Sequence, residues 1–130
     1  MPSVSFDSLS FLLDGARSRA SRFTVAAANF DATLVDPILW EVTLRELRHA
    51  GFNAVVIRVP WALHEPTPDQ FVFTGACDLR RAIELAVAAG LKVMLRIGPC
   101  VGGTFARGGL PVWLRDTVGP RLREANPTFL

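Results

Sequence analysis

Two stretches of this chain repeat one another, and that repeat restricts the fold more than any other feature. Ala50-Gly51-Phe52 and Ala89-Gly90-Leu91 each close a helical pattern and open an apolar run, and Pro60 and Pro99 each end that run. The two units share one length, that of a βα repeat. Asp36-Pro37 supplies the first helix start, because Asp36 can cap free backbone N–H groups and Pro37 suits the first helical position. Trp40, Leu44 and Leu47 then recur at helical spacing, with Glu41 and Arg45 paired on the outer face. Asp78 opens the second helix, with Leu79, Ala82, Ile83 and Ala86 on one face. Ala54 to Val59 and Val93 to Ile97 are continuous apolar runs broken only by Arg58 and Arg96. Such runs suit parallel strands covered on both faces. Phe23 to Phe30 reads as an earlier strand. Strand, helix, strand, helix, strand predicts an α/β chain with a parallel sheet and right-handed crossovers. A doubly wound sheet and a (β/α)₈ barrel both satisfy that pattern.

The flanking segments read less regularly. Residues 3–15 suggest a short hairpin with a turn signal at Asp14-Gly15. Phe71-Val72-Phe73 reads as a short extended piece. A glycine-rich loop runs to Gly109, PVWLRD suggests one helical turn, and Asn126-Pro127 suggests another helix start.

At 130 residues the chain is one domain at most. Its 14 basic and 12 acidic residues are mixed along it, with no basic stripe, so a nucleic-acid partner is not expected. Cys77 and Cys100 form no C-x-x-C pair, which argues against a zinc site or a disulfide framework. No cofactor or metal is expected. No apolar run approaches the roughly eighteen residues of a membrane span. The first residues carry Asp7 and Asp14 and no basic n-region, so localisation defaults to cytoplasmic without a signal to set it.

Polar and aromatic residues gather just past the strand ends, where parallel α/β proteins build their sites. Asn29, Phe30 and Asp31 follow the first strand, Trp61, His64 and Glu65 the second, and Cys100, Thr104 and Arg107 the third. A glycosidase needs two carboxyl groups across the scissile bond. Asp31 with Glu65 is the only local pair, and a lone carboxylate beside a strand end more often has a structural role; Glu65 is expected to bind a loop backbone or one of the arginines. Trp61 fits either stacking on a sugar face or packing in the core. His64 reads as a buried, hydrogen-bonded histidine, and His49 as a surface residue. Arg58 and Arg96 each need a partner or solvent. Arg96 is expected in an ion pair, Arg58 at the mouth of the site, and Cys100 as a buried free thiol. GPCVGGTFARGG lacks both phosphate-loop patterns, which weakens any nucleotide reading.

Phe11–Gly15 (FLLDG), LWEVTLRELRHAGFNAVVIRVPWALHEP, LKVMLRIGP and GGLPVWL occur in an order and spacing that resemble the catalytic barrel of glycoside hydrolase family 35, the β-galactosidase family. The resemblance runs from Phe11 to the last residues. It implies the N-terminal portion of a (β/α)₈ TIM barrel, about three βα units across residues 1–130, ending before strand four. It implies a retaining hydrolase of terminal β-linked sugars. The family's acid/base glutamate follows an Asn at the end of strand four and its nucleophile ends strand seven, so neither is expected among these residues. The chain alone is expected to be inactive.

The substrate-binding positions implied by the resemblance fall on Asn29, Arg58, Trp61, Glu65, Cys100 and Thr104. Several depart from the family pattern. Asn29-Phe30 stands for His-Tyr, Arg58 for Tyr, Ala62 for Asn, Cys100 for Tyr, and Thr104-Phe105 for Glu-Trp. The alternative is a non-catalytic carbohydrate-binding or interaction protein on the same scaffold. The expected partners are a carbohydrate, and either further copies of the chain or a complementary barrel fragment.

Overall fold

The computed structural model describes residues 4–6, 11–13, 22–23 and 25–114. Three short strands, β1 (Val4–Phe6), β2 (Phe11–Leu13) and β3 (Arg22–Phe23), form an antiparallel sheet in that order. The expected hairpin is therefore the pairing of β1 with β2, in register Val4 to Leu13. Its anticipated turn at Asp14-Gly15 lies outside the described residues, as does the helix start at Asn126-Pro127.

The second sheet is parallel, with order β4 (Ala27–Phe30), β5 (Ala54–Val59), β6 (Lys92–Ile97). The strand expected over Phe23–Phe30 is thus two strands in two sheets. An alanine run has little β preference of its own, and pairing decides where the parallel strand begins. Asn53 provides that anchor. Its Oδ1 accepts from the Ala26 N–H at 2.9 Å, its N–H donates to Ala26 O at 3.0 Å, and its carbonyl accepts from Lys92 N at 2.9 Å. One residue ties the leading ends of all three strands.

Helix α1 (Trp40–His49) follows a 3₁₀ turn, Pro37–Leu39, capped by the Asp36 side chain on Ile38 N. The expected start signal is real but opens the 3₁₀ turn. Helix α3 (Leu79–Ala88) starts at Asp78, whose carboxylate accepts from Arg81 N at 2.9 Å. Both helices stop the same way. Gly51 N bonds Arg48 O and Phe52 N bonds Leu47 O; Gly90 N bonds Val87 O and Leu91 N bonds Ala86 O. Gly51 and Gly90 sit at φ +97° and +78°, where a side chain would be strained. The sequence repeat is a repeat of stop geometry.

Between them, helix α2 (Trp61–His64) is a single turn that the sequence pattern does not announce. Pro60 both ends β5 and receives the N–H groups of Leu63 and His64. Phe71-Val72-Phe73 is not a strand. It docks on His64: Val72 N donates to His64 O at 2.8 Å, and the Phe73 ring lies 5.2 Å from the imidazole.

The core lies on one face of the parallel sheet. Phe30, Val55 and Ile57 pack there against Trp40 and Leu44 of α1 and Ala82 and Ala86 of α3. Phe30 and Trp40 meet edge to face at 6.3 Å, and Trp40 Nε1 donates to Val35 O. Side chains alternate across a strand, so Asn29, Val56 and Arg58 point to the opposite face. The parallel register sets Asn29 beside Val56, and Arg58 beside Arg96.

Candidate active site

The carboxyl ends of β4 and β5 bring two oppositely charged residues together. Arg58 binds Asp31 through both Nε and Nη2, one to each carboxylate oxygen. This fork-to-fork pairing is the strong arrangement for a guanidinium. The two side chains are 11% and 17% exposed, so water screens the pair weakly. Hydrogen bonding to Asp31 raises the Arg58 pKa above its ordinary value against the opposing pull of burial. The third nitrogen, Nη1, donates to Thr104 Oγ1 at 3.1 Å, and the guanidinium lies 5.2 Å from the centroid of Phe105. Thr104 and Phe105 belong to the glycine-rich loop after β6. Arg58 thus joins the ends of β4 and β5 to that loop.

The loop has its own framework. Val101 N bonds Gly108 O at 2.8 Å, Gly108 N bonds Phe105 O at 2.9 Å, and Val101 and Phe105 are buried. Gly109 sits at φ +89°, where an added Cβ would lie 3.0 Å from Val101 and 3.1 Å from Pro60. The loop therefore seats directly on the end of β5.

A second cluster forms around Glu65, which is 8% exposed. Its Oε1 accepts from Asp69 N at 2.9 Å and its Oε2 from Trp61 Nε1. Asp69 has φ +62°, a left-handed conformation that this carboxylate holds in place. Trp61 also meets Trp113 edge to face at 5.7 Å, and Trp113 Nε1 donates to Glu65 O at 3.0 Å. His64 is buried, with Nδ1 3.0 Å from Val72 O; burial pushes its pKa down despite that bond. A groove of 430 Å³ opens beside this cluster, walled by Trp61, Phe71, Phe73, Ile97 and Pro99. Val59 and Ile97 lie on the helix-facing side of the sheet by alternation, so the groove and Arg58 occupy opposite faces.

The six candidate positions are therefore split. Arg58 and Thr104 touch, Trp61 and Glu65 touch, and Asn29 is exposed on the Arg58 face. Cys100 is exposed, not buried as expected; its thiol lies over Gly108, where an added Cβ would stand 3.3 Å from Sγ. Arg96 forms no ion pair among the described residues. It is exposed on β6, and Asp31 across the sheet is taken by Arg58. Among the described residues no three metal-binding side chains converge, and no helix is long and apolar enough to cross a membrane. Asp31 as the partner of Arg58 is absent from the expectations. The signal lay in a charge within an apolar run, with an acid at the same end of the neighbouring strand.

The sequence pattern of "Glycosyl hydrolases family 35" matches residues 10–130. The chain belongs to glycosyl hydrolase family 35. Mouse "Beta-galactosidase" is 36% identical over 124 residues, covering 92% of this chain and 19% of that protein. Human "Beta-galactosidase" is 35% identical over 121 residues, covering 93% and 17%. "Beta-galactosidase 11" of Arabidopsis thaliana is 31% identical over 126 residues, covering 97% and 14%. This family 35 chain thus spans less than a fifth of the length of these relatives. A crystal structure of β-galactosidase from the psychrophilic Marinomonas ef1 superposes with a TM-score of 0.57 at 20% identity, over 72% of this chain and 13% of that one. That likeness establishes the fold relationship of the family 35 chain to a β-galactosidase.

Proposed function

We propose that this chain is the opening portion, about three βα units, of the (β/α)₈ barrel of a retaining glycoside hydrolase acting on terminal β-linked sugars, β-galactosides first. Its part is to supply walls of the sugar site rather than the acid/base pair. One observation carries the reading: in a family 35 chain, Asn29, Arg58 and Thr104 gather at the carboxyl end of a parallel sheet, where barrel enzymes bind their substrates. Both loop carboxylates are already engaged, Asp31 by Arg58 and Glu65 by Trp61 and Asp69. That engagement supports a structural role for both rather than the acid/base or nucleophile role of a glycosidase carboxylate. The same observation favours a second reading, a non-catalytic carbohydrate-binding protein on this scaffold.

The test has two arms. Purified chain is assayed for hydrolysis of aryl β-galactosides and β-glucosides, and no turnover is expected. Turnover abolished by Glu65→Gln or Asp31→Asn overturns the assignment. Binding of methyl β-galactopyranoside is then followed by amide shift changes, expected at Asn29 and Thr104. Absence of any shift removes sugar binding from the isolated chain.

A further inference from the structure

Arg58 is committed to the protein on every side. Its three nitrogens reach Asp31 and Thr104, its face lies against Phe105, and its side chain is 11% exposed. The neighbouring backbone is shaped around it. Gly102 has φ +123°, and a Cβ there would stand 3.1 Å from Arg58 Nη1. Three positions that depart from the family pattern, Arg58, Thr104 and Phe105, therefore meet in one contact set with Asp31.

The bond to Thr104 has a further consequence. A guanidinium can only donate, so Thr104 Oγ1 accepts, and its own hydrogen is left to donate elsewhere. Among the described residues that hydrogen meets no acceptor, and Thr104 is exposed.

We propose that Arg58 is a positioning residue: anchored by Asp31, it clamps the glycine-rich loop so that the Thr104 hydroxyl is presented as a hydrogen-bond donor to a sugar oxygen. The ligand class rests on the glycoside reading above; the clamp does not. Arg58 itself makes no ligand contact. The assignment separates two neighbours in the site, one that touches sugar and one that holds the first in place.

The test uses the full chain and two readouts. The first is amide hydrogen exchange at Val101, Phe105 and Gly108, whose N–H groups bond within the loop, with α1 amides as the reference. Arg58→Gln and Asp31→Asn are each expected to speed loop exchange by about tenfold or more with α1 unchanged. The double variant should exchange no faster than either single one, since the two residues act together. Asp31→Asn keeps the test open if Arg58→Gln fails to fold, because it leaves the arginine and the loop sequence intact. The second readout is methyl β-galactopyranoside binding. Thr104→Val should lose it with loop exchange still slow, and Thr104→Ser should keep it. Loop exchange equal to wild type in Arg58→Gln and Asp31→Asn overturns the clamp. Lost sugar binding with unchanged loop exchange in Arg58→Gln overturns it as well, by making Arg58 a contact residue. A wild-type chain that binds no sugar overturns the Thr104 role and the glycoside reading, while the exchange rates decide the clamp on their own.

Discussion

Glu65 shows how a carboxylate in a glycosidase-like loop can be structural. It receives an indole N–H from one side and a backbone N–H from the other while nearly buried. Glu65→Ala removes the carboxylate acceptor from both donors, at about 1 kcal/mol for each lost hydrogen bond. The urea midpoint should fall accordingly, and Glu65→Gln should fall less because one acceptor survives. An unchanged midpoint in Glu65→Ala would mean that water replaces the carboxylate. His64 makes a second prediction. Val72 O can only accept, so Nδ1 carries the hydrogen. Burial lowers its folded pKa below the ordinary 6.5. The unfolded chain then binds the proton first. The stability His64 contributes is therefore full above about pH 6.5 and is lost as pH falls below it. Melts between pH 7.5 and 5.5 should show this slope, and His64→Gln should flatten it. At this scale the sequence conveyed residue types but not their partners. A buried, bonded His64 was legible from its place in a loop beside a strand end. The pairing of Arg58 with Asp31 needed the strand register, and the exposure of Cys100 needed the loop path.

Secondary elements were legible where backbone chemistry is local. Asp36, Asp78, Gly51 and Gly90 each mark a helix boundary through their own conformation or a bond a few residues away. The parallel strands followed from their apolar runs. What stayed hidden depends on distant partners: the division of Phe23–Phe30 between two sheets, the single turn of α2, and the docking of Phe71–Phe73 on His64. Asn53 is the clearest case, since its value comes from bonds to Ala26 and Lys92. Asn53→Ala removes the side-chain acceptor of Ala26 N, and about 1 kcal/mol of stability should go with it. Exchange of the Ala26 amide should rise more than that of β5 amides. Equal protection of Ala26 in the variant would show that the strand ends are held by backbone bonds alone.

At the scale of the molecule, β4 and β6 are the edges of the parallel sheet among the described residues. On β6, Leu95 and Ile97 are 42% and 69% exposed, and Phe71 and Phe73 stand exposed nearby. Open apolar edges recruit other chains. A domain is stable by only about 5–15 kcal/mol, so uncovered core surface weighs heavily. The purified 130-residue chain should therefore self-associate, or gain stability from a fragment that adds the next strand. Size-exclusion chromatography with light scattering and a thermal melt decide the matter. A monodisperse monomer with one cooperative transition would show that the open edges are tolerated.

The pleat of the parallel sheet has a consequence for how such a chain changes over generations. Phe30, Val55 and Ile57 answer to the helices, while Asn29 on the opposite face is exposed and Arg58 there answers to Asp31 and the loop. Because neighbours along one strand belong to different faces, a lineage can rewrite its recognition surface one position at a time without disturbing the packing that makes the strand. Drift in specificity and persistence of architecture are then two separate histories recorded in alternate residues of the same few strands.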